Sequence, residues 1–276
     1  MKTYKIAVST CGRMIQPEEF ERYAEAGVEQ MELSFRWDAY DDVDWAALKK
    51  GADKAGITIC SIHLPFSGED NPAHMDEAVR NKAIARYKDI MTKSSVTGAP
   101  VYVIHASSEP IPDEERSLQM EHAKKTLAEL AAFAKTIDAC IAVEDLHRTC
   151  LGRNSDEILE LISAHENLFV CFDTNHLLMQ ENEDFVKAVG NKIVTTHFSD
   201  YDFVDEKHWL PGMGDIDWVS LMDALDRVDY QGPVLYELYY AKGKIVPHVV
   251  EPAEYVRNAK ELMTRKTLTK IEGESV

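Results

Sequence analysis

Apolar residues along the chain recur with two spacings, one typical of strands and one typical of helices. Segments of the two kinds alternate along the chain. Short runs rich in valine, isoleucine and aromatic residues, which favour strands, are each followed by a longer stretch with helical spacing of apolar positions. We predict strands at 4–9, 28–35, 57–64, 100–106, 140–146, 168–174, 192–200 and 233–238. We predict helices near 17–26, 44–55, 73–97, 114–138, 155–164, 181–189, 217–227 and 251–266.

Eight strand–helix units in 276 residues are typical of a (β/α)8 TIM barrel, an α/β fold that usually takes about 250 residues. A doubly wound open sheet is the alternative. However, the turn after the first strand, STCGRM at 9–14, contains one glycine and therefore lacks the glycine-rich dinucleotide fingerprint. No linker or low-complexity segment divides the chain. We predict one barrel domain over 1–268 and a frayed tail at 269–276.

A barrel carries its functional groups at the carboxyl ends of its strands, and six consecutive predicted strands end in residues that can bind a metal or move a proton. They are His63, His105, Glu144, Asp173, His197 and Glu237. With the two-residue period of a strand, Glu144 shares a face with Ala142, and His197 with Thr195, as the interior of a barrel requires. Taken singly, each has an ordinary structural explanation, such as a hydrogen-bonded wall histidine or a turn-forming aspartate.

Taken together, the six residues need a partner. Carboxylates that converge on one buried rim destabilise the fold unless their charges are compensated. A divalent metal ion turns such like-charged neighbours into a coordination shell. We therefore predict that Asp173 faces a metal ion. His176, one helical turn further along, should face either the metal or the substrate.

The formal net charge of −18 argues against a nucleic-acid partner, because contacts between basic residues and phosphates supply most non-specific affinity. No apolar run approaches the roughly 20 residues that span a bilayer, and the N-terminus has no signal-peptide pattern. The five cysteines are scattered without a CxxC pair, which favours free thiols in a reducing cytoplasm. We expect no membrane partner and a cytoplasmic location, and we leave a homo-oligomer open.

Longer motifs at the strand ends resemble the xylose isomerase-like TIM-barrel superfamily over essentially the whole chain. They are VEDLHR at 143–148, CFDTNH at 171–176, THFSD at 196–200, HWLPGMGDIDW at 208–218 and LYEL at 235–238. The superfamily includes sugar isomerases, ketose 3-epimerases, inosose dehydratases and AP endonucleases of the endonuclease IV kind. The resemblance implies that Glu144, Asp173, His197 and Glu237 bind one divalent ion. We expect Mn²⁺ or Zn²⁺ ahead of Mg²⁺ or Co²⁺.

The resemblance also implies the chemistry. Glu144 and Glu237 would exchange a proton beside a carbonyl through an enediolate, as a metal-dependent sugar isomerase or epimerase does. The substrate would be a small sugar or polyol ketone, with an unphosphorylated one preferred because no glycine-rich phosphate cradle is present. The residues expected to contact the substrate are His63, His105, His176, His208, Arg148 and Trp209.

The chain departs from the patterns of two branches of the superfamily. Ketose 3-epimerases typically read E-x-L-N-R-aromatic-E from the fifth strand, but here His147 replaces the asparagine and Cys150 the second glutamate. Phe203 stands where an arginine is expected after the seventh strand. In the AP-endonuclease branch an aspartate precedes the last histidine ligand by two residues, whereas Glu206 precedes His208 here. The alternatives are therefore an inosose-type dehydratase on the same metal site and, ranked lower, an AP endonuclease or a non-catalytic sugar-binding barrel.

Several other residues have two interpretations. Glu32 either points into the barrel or serves as a structural charge partner, which we favour. Trp209 and the PGMGD segment at 211–215 form either a lid over the mouth or an ordinary loop that caps the next helix through Asp217. Tyr239 and Tyr240 could line the pocket or an interface. We assign the remaining histidines outside the rim to the surface; they are His74, His122, His165 and His248.

Overall fold

Eight parallel strands, each followed by a helix, make up the computed structural model, which describes residues 2–238 and 250–270. The strands are β1 (Ile6–Ser9), β2 (Gln30–Leu33), β3 (Thr58–His63), β4 (Val101–His105), β5 (Cys140–Glu144), β6 (Leu168–Asp173), β7 (Ile193–His197) and β8 (Val234–Tyr236). The helices are α1 (Glu19–Ala26), α2 (Trp45–Ala55), α3 (Glu77–Ser94), α4 (Asp113–Lys135), α5 (Ser155–Ile162), α6 (Asn182–Val189), α7 (Trp218–Arg227) and α8 (Pro252–Met263).

The strands close into a barrel. Each strand from β1 to β6 pairs in parallel with the next one, and β1 also pairs with β8. A parallel bridge between Phe198 and Tyr236 joins β7 to β8, and the main-chain N–H of Phe198 donates to the carbonyl of Leu235 at 2.7 Å. The predicted (β/α)8 barrel is confirmed, and the open doubly wound sheet is wrong.

The strand register brings the carboxyl ends of neighbouring strands to one level. His105 of β4 lies beside Glu144 of β5, and Asp173 of β6 lies beside His197 of β7. Parallel strands of a barrel therefore deliver these side chains to the same mouth, as the sequence pattern predicts.

Two kinds of apolar packing support the mouth. Most buried apolar side chains form one continuous core between the barrel and its helices. Two small clusters are separate from this core: Ala7–Cys60–Leu235 comes from β1, β3 and β8, and Val103–Ala142–Cys171 comes from β4, β5 and β6. Inward-facing side chains fill the interior of a small barrel in this way. The side chains at the mouth of the barrel therefore lie directly above a packed interior.

Local signals at the helix ends match the sequence. Asp44, Asp76, Asn154 and Asp217 each accept a main-chain N–H in the first turn of the helix that follows. The predicted cap at Asp217 is thus confirmed, with Ser220 as the donor at 3.1 Å. Among the described residues, every helix is too short or too polar to cross a bilayer. Each of the five cysteines is a free thiol.

Most differences from the predicted elements lie at their ends. The predicted strand 192–200 is longer than β7, because Phe198 and Asp200 continue it only as isolated bridges. The predicted helix 73–97 divides into α3 and a short 3-10 turn at Ser95–Thr97. Tyr239, Tyr240, His248 and most of the tail predicted at 269–276 lie outside the described residues.

Candidate metal centre

Four side chains converge at the mouth of the barrel. Glu144, Asp173 and His197 end β5, β6 and β7, and Glu237 directly follows β8. One ligand atom from each of the four lies within 4.8 Å of all the others. All four residues are buried. The structure therefore brings together the set that the resemblance implies as metal ligands.

The imidazole of His197 is the centre of this set. Its Nδ1 atom lies 3.1 Å from Oε1 of Glu144, 3.3 Å from Oε2 of Glu237 and 3.8 Å from Oδ2 of Asp173. A proton on Nδ1 can be donated in a hydrogen bond to only one of these three carboxylates. A divalent cation can be bound by all three at once.

Glu32 orients His197 from below. The Nε2 atom of His197 lies 3.1 Å from Oε1 of Glu32, and the hydroxyl of Ser61 donates to Oε2 of Glu32 at 2.7 Å. A carboxylate behind the far nitrogen is the usual arrangement for a metal-binding histidine. Burial disfavours the charge of Glu32, but His197 outweighs it and lowers the pKa of that carboxyl. Both interpretations of Glu32 therefore hold, since it points into the barrel and is a charge partner.

Asp173 provides the test of whether a cation fits. Its Oδ1 atom accepts the main-chain N–H of Asn175 at 2.7 Å, while its buried Oδ2 atom has no hydrogen-bond donor among the described residues. Burial raises the pKa of Asp173, and the neighbouring Glu144 adds to this rise. Burial likewise raises the pKa of Glu237. Three carboxylates and one imidazole with an orphaned oxygen fit a hard or borderline divalent ion.

Glu144 lies between the proposed ligands and two further histidines. Its Oε2 atom is 3.0 Å from Nε2 of His63 and 3.2 Å from Nε2 of His105. Burial disfavours the ionised form of Glu144, but His197 and His105 outweigh it and hold its pKa well below the ordinary value. Burial lowers the pKa of His105 to about 4. For His63 the same penalty is outweighed by Glu144, which raises its pKa to about 8.

An aromatic side chain covers this side of the mouth. The ring of Phe66 stacks on His105 with ring centroids 4.1 Å apart, and 48% of Phe66 is exposed. His63, His105 and Glu144 also form a group that could hold a metal ion. Nothing in the sequence singles out Phe66 beyond its place three residues after His63.

A separate group lies on the other side of the mouth. His147, His176 and Glu206 bring ligand atoms within 4.8 Å of one another. Burial, with His176 nearby, lowers the pKa of His147 to about 4. His147 and Glu206 appear in the sequence only as departures from family patterns. A 59-residue separation gives no sign that they meet.

The remaining residues predicted to contact substrate occupy different surroundings. Arg148 forms ion pairs with Glu109 at 2.9 Å, with Glu206 at 3.2 Å and with Asp205, so three carboxylates engage its guanidinium. His208 lies beside Glu237, with its Nδ1 atom 3.3 Å from the carbonyl oxygen of that residue.

The other residues weighed in the sequence do not belong to the four-residue set. Trp209 is half-buried, and its main chain pairs with that of Asp200. Phe203 is exposed and packs on Tyr201. His74, His122 and His165 lie outside the rim, before α3, within α4 and between α5 and β6.

The fold and the site together define a class: a (β/α)8 barrel with a carboxylate–imidazole cluster at the carboxyl ends of its strands. The chain belongs to the xylose isomerase-like TIM barrel family, whose model matches residues 20–266. The predicted resemblance is thereby confirmed.

Individual relatives include sugar epimerases and isomerases. The chain is 25% identical over 242 residues to a D-psicose 3-epimerase of Ruminiclostridium cellulolyticum, covering 82% of this chain and 79% of that protein. It is 28% identical over 178 residues to an inosose isomerase of Halalkalibacterium halodurans, covering 59% of this chain and 62% of that protein. A crystal structure of D-psicose 3-epimerase with D-tagatose, from Clostridium cellulolyticum H10, superimposes with a TM-score of 0.80. At 19% identity over 96% of this chain and all of that one, this match shows a shared fold.

Proposed function

We propose that this chain is a divalent-metal-dependent epimerase or isomerase of a small sugar or polyol ketone. The observation that carries the proposal is the meeting of Glu144 and Glu237 at one imidazole nitrogen of His197, at 3.1 and 3.3 Å. The names of the relatives, D-psicose 3-epimerase and inosose isomerase, support the same class of reaction.

Glu144, Asp173, His197 and Glu237 would hold the ion. Three carboxylates and one imidazole suit Mn²⁺ or Mg²⁺, and Zn²⁺ or Co²⁺ can also bind such a set. When bound, the ion polarises a substrate carbonyl and offsets the negative charge that develops on its oxygen.

Two glutamates from different strands would move the proton. Glu144 approaches from β5 and Glu237 from β8, so each can face a different side of a bound sugar. One carboxylate takes up the proton from the carbon beside the carbonyl, and the other, in its protonated form, delivers a proton in exchange. Delivery to the opposite face of the same carbon gives an epimer, and delivery to the neighbouring carbon gives an isomer.

The surrounding histidines would position these carboxylates and the substrate. His63 and His105 hold Oε2 of Glu144 at 3.0 and 3.2 Å, which leaves Oε1 to face the centre. His208, beside Glu237, would contact a hydroxyl of the substrate, and we assign His176 and Trp209 to the same wall. Arg148 would act through the loops that it ties together.

The test is solvent hydrogen exchange. The metal-loaded protein is incubated in heavy water with a panel of ketoses, aldoses and inososes, with and without added Mn²⁺. We expect deuterium at one carbon of a substrate. Glu144→Gln and Glu237→Gln should each abolish this uptake, because each removes a group that carries the proton. Glu129→Gln, an exposed residue paired with Lys88, is the matched control and should keep full uptake.

Three results would change the assignment. Retained deuterium uptake in both glutamine variants would refute the roles of Glu144 and Glu237. Loss of water from an inosose, with new ultraviolet absorbance, would identify the dehydratase alternative on the same site. A preparation without bound metal and without exchange into any substrate would favour a sugar-binding barrel.

One observation favours a second candidate, an AP endonuclease. Two further metal-capable groups, His63–His105–Glu144 and His147–His176–Glu206, flank the four-residue set, and phosphodiester cleavage commonly uses more than one ion. The net charge of −18 opposes binding to DNA, so we rank this function lower. Metal-dependent incision of an abasic oligonucleotide would establish it.

A further inference from the structure

We infer that the segment after α8, residues 264–270, holds the loop at 208–217 in place beside the barrel mouth, and that Leu268 is the positioning residue of this contact. The loop contains His208 and Trp209, two residues of the substrate wall in the proposed function. The positioning role is independent of the proposed function, whereas its effect on substrate affinity rests on it.

Leu268 packs directly on the main chain of the 208–217 loop. It is half-buried, whereas its neighbours Thr267 and Thr269 are exposed. A Cβ atom at Gly212 would lie 2.7 Å from the Cβ atom of Leu268, which is too close for both to stay in place. Gly212 also has a φ angle of 94°, which favours glycine. The contact therefore needs a glycine in the loop as well as an apolar side chain in the segment.

The 264–270 segment is itself fixed to two helices. The guanidinium of Arg265 donates to Asp223 at 2.8 Å and to Asp226, both on α7. The main-chain N–H and the hydroxyl of Thr269 donate to the carboxylate of Glu261 on α8, at 2.9 and 2.7 Å. Leu268 lies between these two attachments in the chain, so its backbone is held on both sides.

Hydrogen bonds attach the same part of the loop to the barrel and to α8. The main-chain N–H of Gly212 donates to Oδ2 of the buried Asp200 at 2.7 Å. The side-chain amide of Asn258, a buried residue of α8, donates to the carbonyl oxygen of Pro211 at 2.9 Å. Leu268 adds an apolar contact where the loop is already hydrogen-bonded. Loss of that contact should therefore loosen these hydrogen bonds before the rest of the fold.

The position of the loop determines where His208 lies at the mouth. Its Nδ1 atom is 3.3 Å from the carbonyl oxygen of Glu237 and 4.0 Å from Oε2 of the same residue. The next residue, Trp209, exchanges two main-chain hydrogen bonds with Asp200, at 3.1 and 2.7 Å. Asp200 also holds the part of the loop on which Leu268 packs. The contact of Leu268 is thus connected to the wall through one buried aspartate.

The test compares hydrogen exchange in Leu268→Ala and in the unmodified protein, without any substrate. We expect the main-chain N–H groups of Trp209 and Gly212 to exchange about tenfold faster in Leu268→Ala, because the apolar contact of a half-buried leucine is lost. The N–H groups of α7 should keep their exchange rates. Leu268→Met, which preserves an apolar contact, should keep the loop protected. Leu118→Ala, at an exposed leucine of α4, is the matched control and should change neither region.

A kinetic measurement connects the loop to the substrate. It uses the compound that shows deuterium uptake with the metal-loaded protein. We expect Leu268→Ala to raise KM about fivefold while kcat stays within about twofold, because a looser wall weakens binding but removes no group that moves the proton. Leu268→Met should have the KM of the unmodified protein.

Separate outcomes decide the two proposals. Equal exchange of the loop in Leu268→Ala and the unmodified protein would overturn the positioning role. Faster exchange throughout the chain would also overturn it, since that is the result for a residue that only stabilises the fold. Faster exchange confined to the loop, with an unchanged KM, would overturn the link to the substrate. If the loop alone loosens and no compound of the panel takes up deuterium, the positioning role stands and the proposed function fails.

Discussion

Asp173 and Asp200 are two fully buried aspartates at adjacent points of the barrel mouth, and their surroundings differ. Both oxygens of Asp200 are satisfied: Oδ1 accepts the N–H of Tyr201 at 2.9 Å and of Ile216 at 3.3 Å. Its Oδ2 accepts the N–H of Gly212 at 2.7 Å and Nε1–H of Trp218 at 2.9 Å. Asp173, in contrast, has one main-chain donor and one buried oxygen without any among the described residues.

We interpret this difference as that between a structural carboxylate and a proposed metal ligand. Asp200 accepts three N–H groups of the loop between β7 and α7 and one from Trp218 at the start of α7, so it holds that loop against the barrel. Gly214 belongs to the same arrangement, because a Cβ atom there would lie 2.5 Å from Oδ1 of Asp200. An unsatisfied buried carboxylate is costly, and at Asp173 a cation would remove that cost. Burial raises the pKa of both residues, so the pKa direction alone does not distinguish them.

Asp173→Asn is expected to give the largest effect. The substitution keeps the size of the side chain but removes its charge, and we expect affinity for Mn²⁺ to fall at least about 100-fold, or roughly 2.7 kcal/mol. The metal-free variant should be as stable as the unmodified protein or more so, since a buried uncompensated charge is gone. Titration followed by electron paramagnetic resonance of free Mn²⁺, with urea unfolding of chelator-treated protein, measures both quantities.

The opposite result would remove the distinction between Asp173 and Asp200. If Asp173→Asn unfolds more easily without metal and binds Mn²⁺ normally, Asp173 is a structural residue like Asp200. The four-residue set would then lose a ligand.

Asp200→Asn should have the opposite consequences: a loss of stability and little change in Mn²⁺ affinity. In either orientation, the new amide NH2 group meets two N–H donors that now lack an acceptor. We expect the free energy of unfolding to fall by about 2 kcal/mol, with Mn²⁺ affinity at the four-residue set largely kept. Urea unfolding of the metal-free variant, with the same Mn²⁺ titration, provides the measurement. A loss of Mn²⁺ affinity as large as that of Asp173→Asn, without a loss of stability, would contradict the structural role.

The sequence predicts the fold and the four-residue set well for a physical reason. Strand–helix alternation is a local pattern, and a barrel brings every strand end to one rim, so the six strand-end residues can be grouped without coordinates. The resemblance to the family then selects Glu144, Asp173, His197 and Glu237 among them. The environments of individual oxygens cannot be predicted in this way. The acceptor role of Asp200 depends on donors 12 to 18 residues away, in the loop after β7 and at the first residue of α7.

Contacts between loops cannot be predicted from the sequence either. The grouping of His147 with Glu206 depends on how the loops after β5 and β7 fold towards each other, and no periodicity encodes that. The double role of Glu32 is similar, because strand parity places it inside the barrel but does not identify His197 as its partner. Residues on strands were therefore predictable, and residues on loops became interpretable only with the structure.

The pH dependence of metal binding should give the smallest and most specific effect. Burial raises the pKa of Asp173 and of Glu237, so in acid each carboxyl keeps its proton to a higher pH than usual, and an ion must displace it. Affinity for Mn²⁺ should therefore rise with pH by about tenfold per unit for each displaced proton, or roughly 1.4 kcal/mol. It should level off only once both carboxyls are ionised and His197, whose pKa is also raised, has lost its second proton. Calorimetry in buffers of different ionisation enthalpy, from about pH 5 to about pH 8, counts the protons released. The pKa of Asp200 is raised too, but it faces only N–H donors, so Asp200→Asn should release as many protons per ion as the unmodified protein. Binding without proton release at the acid end would mean that Asp173 and Glu237 do not face the ion.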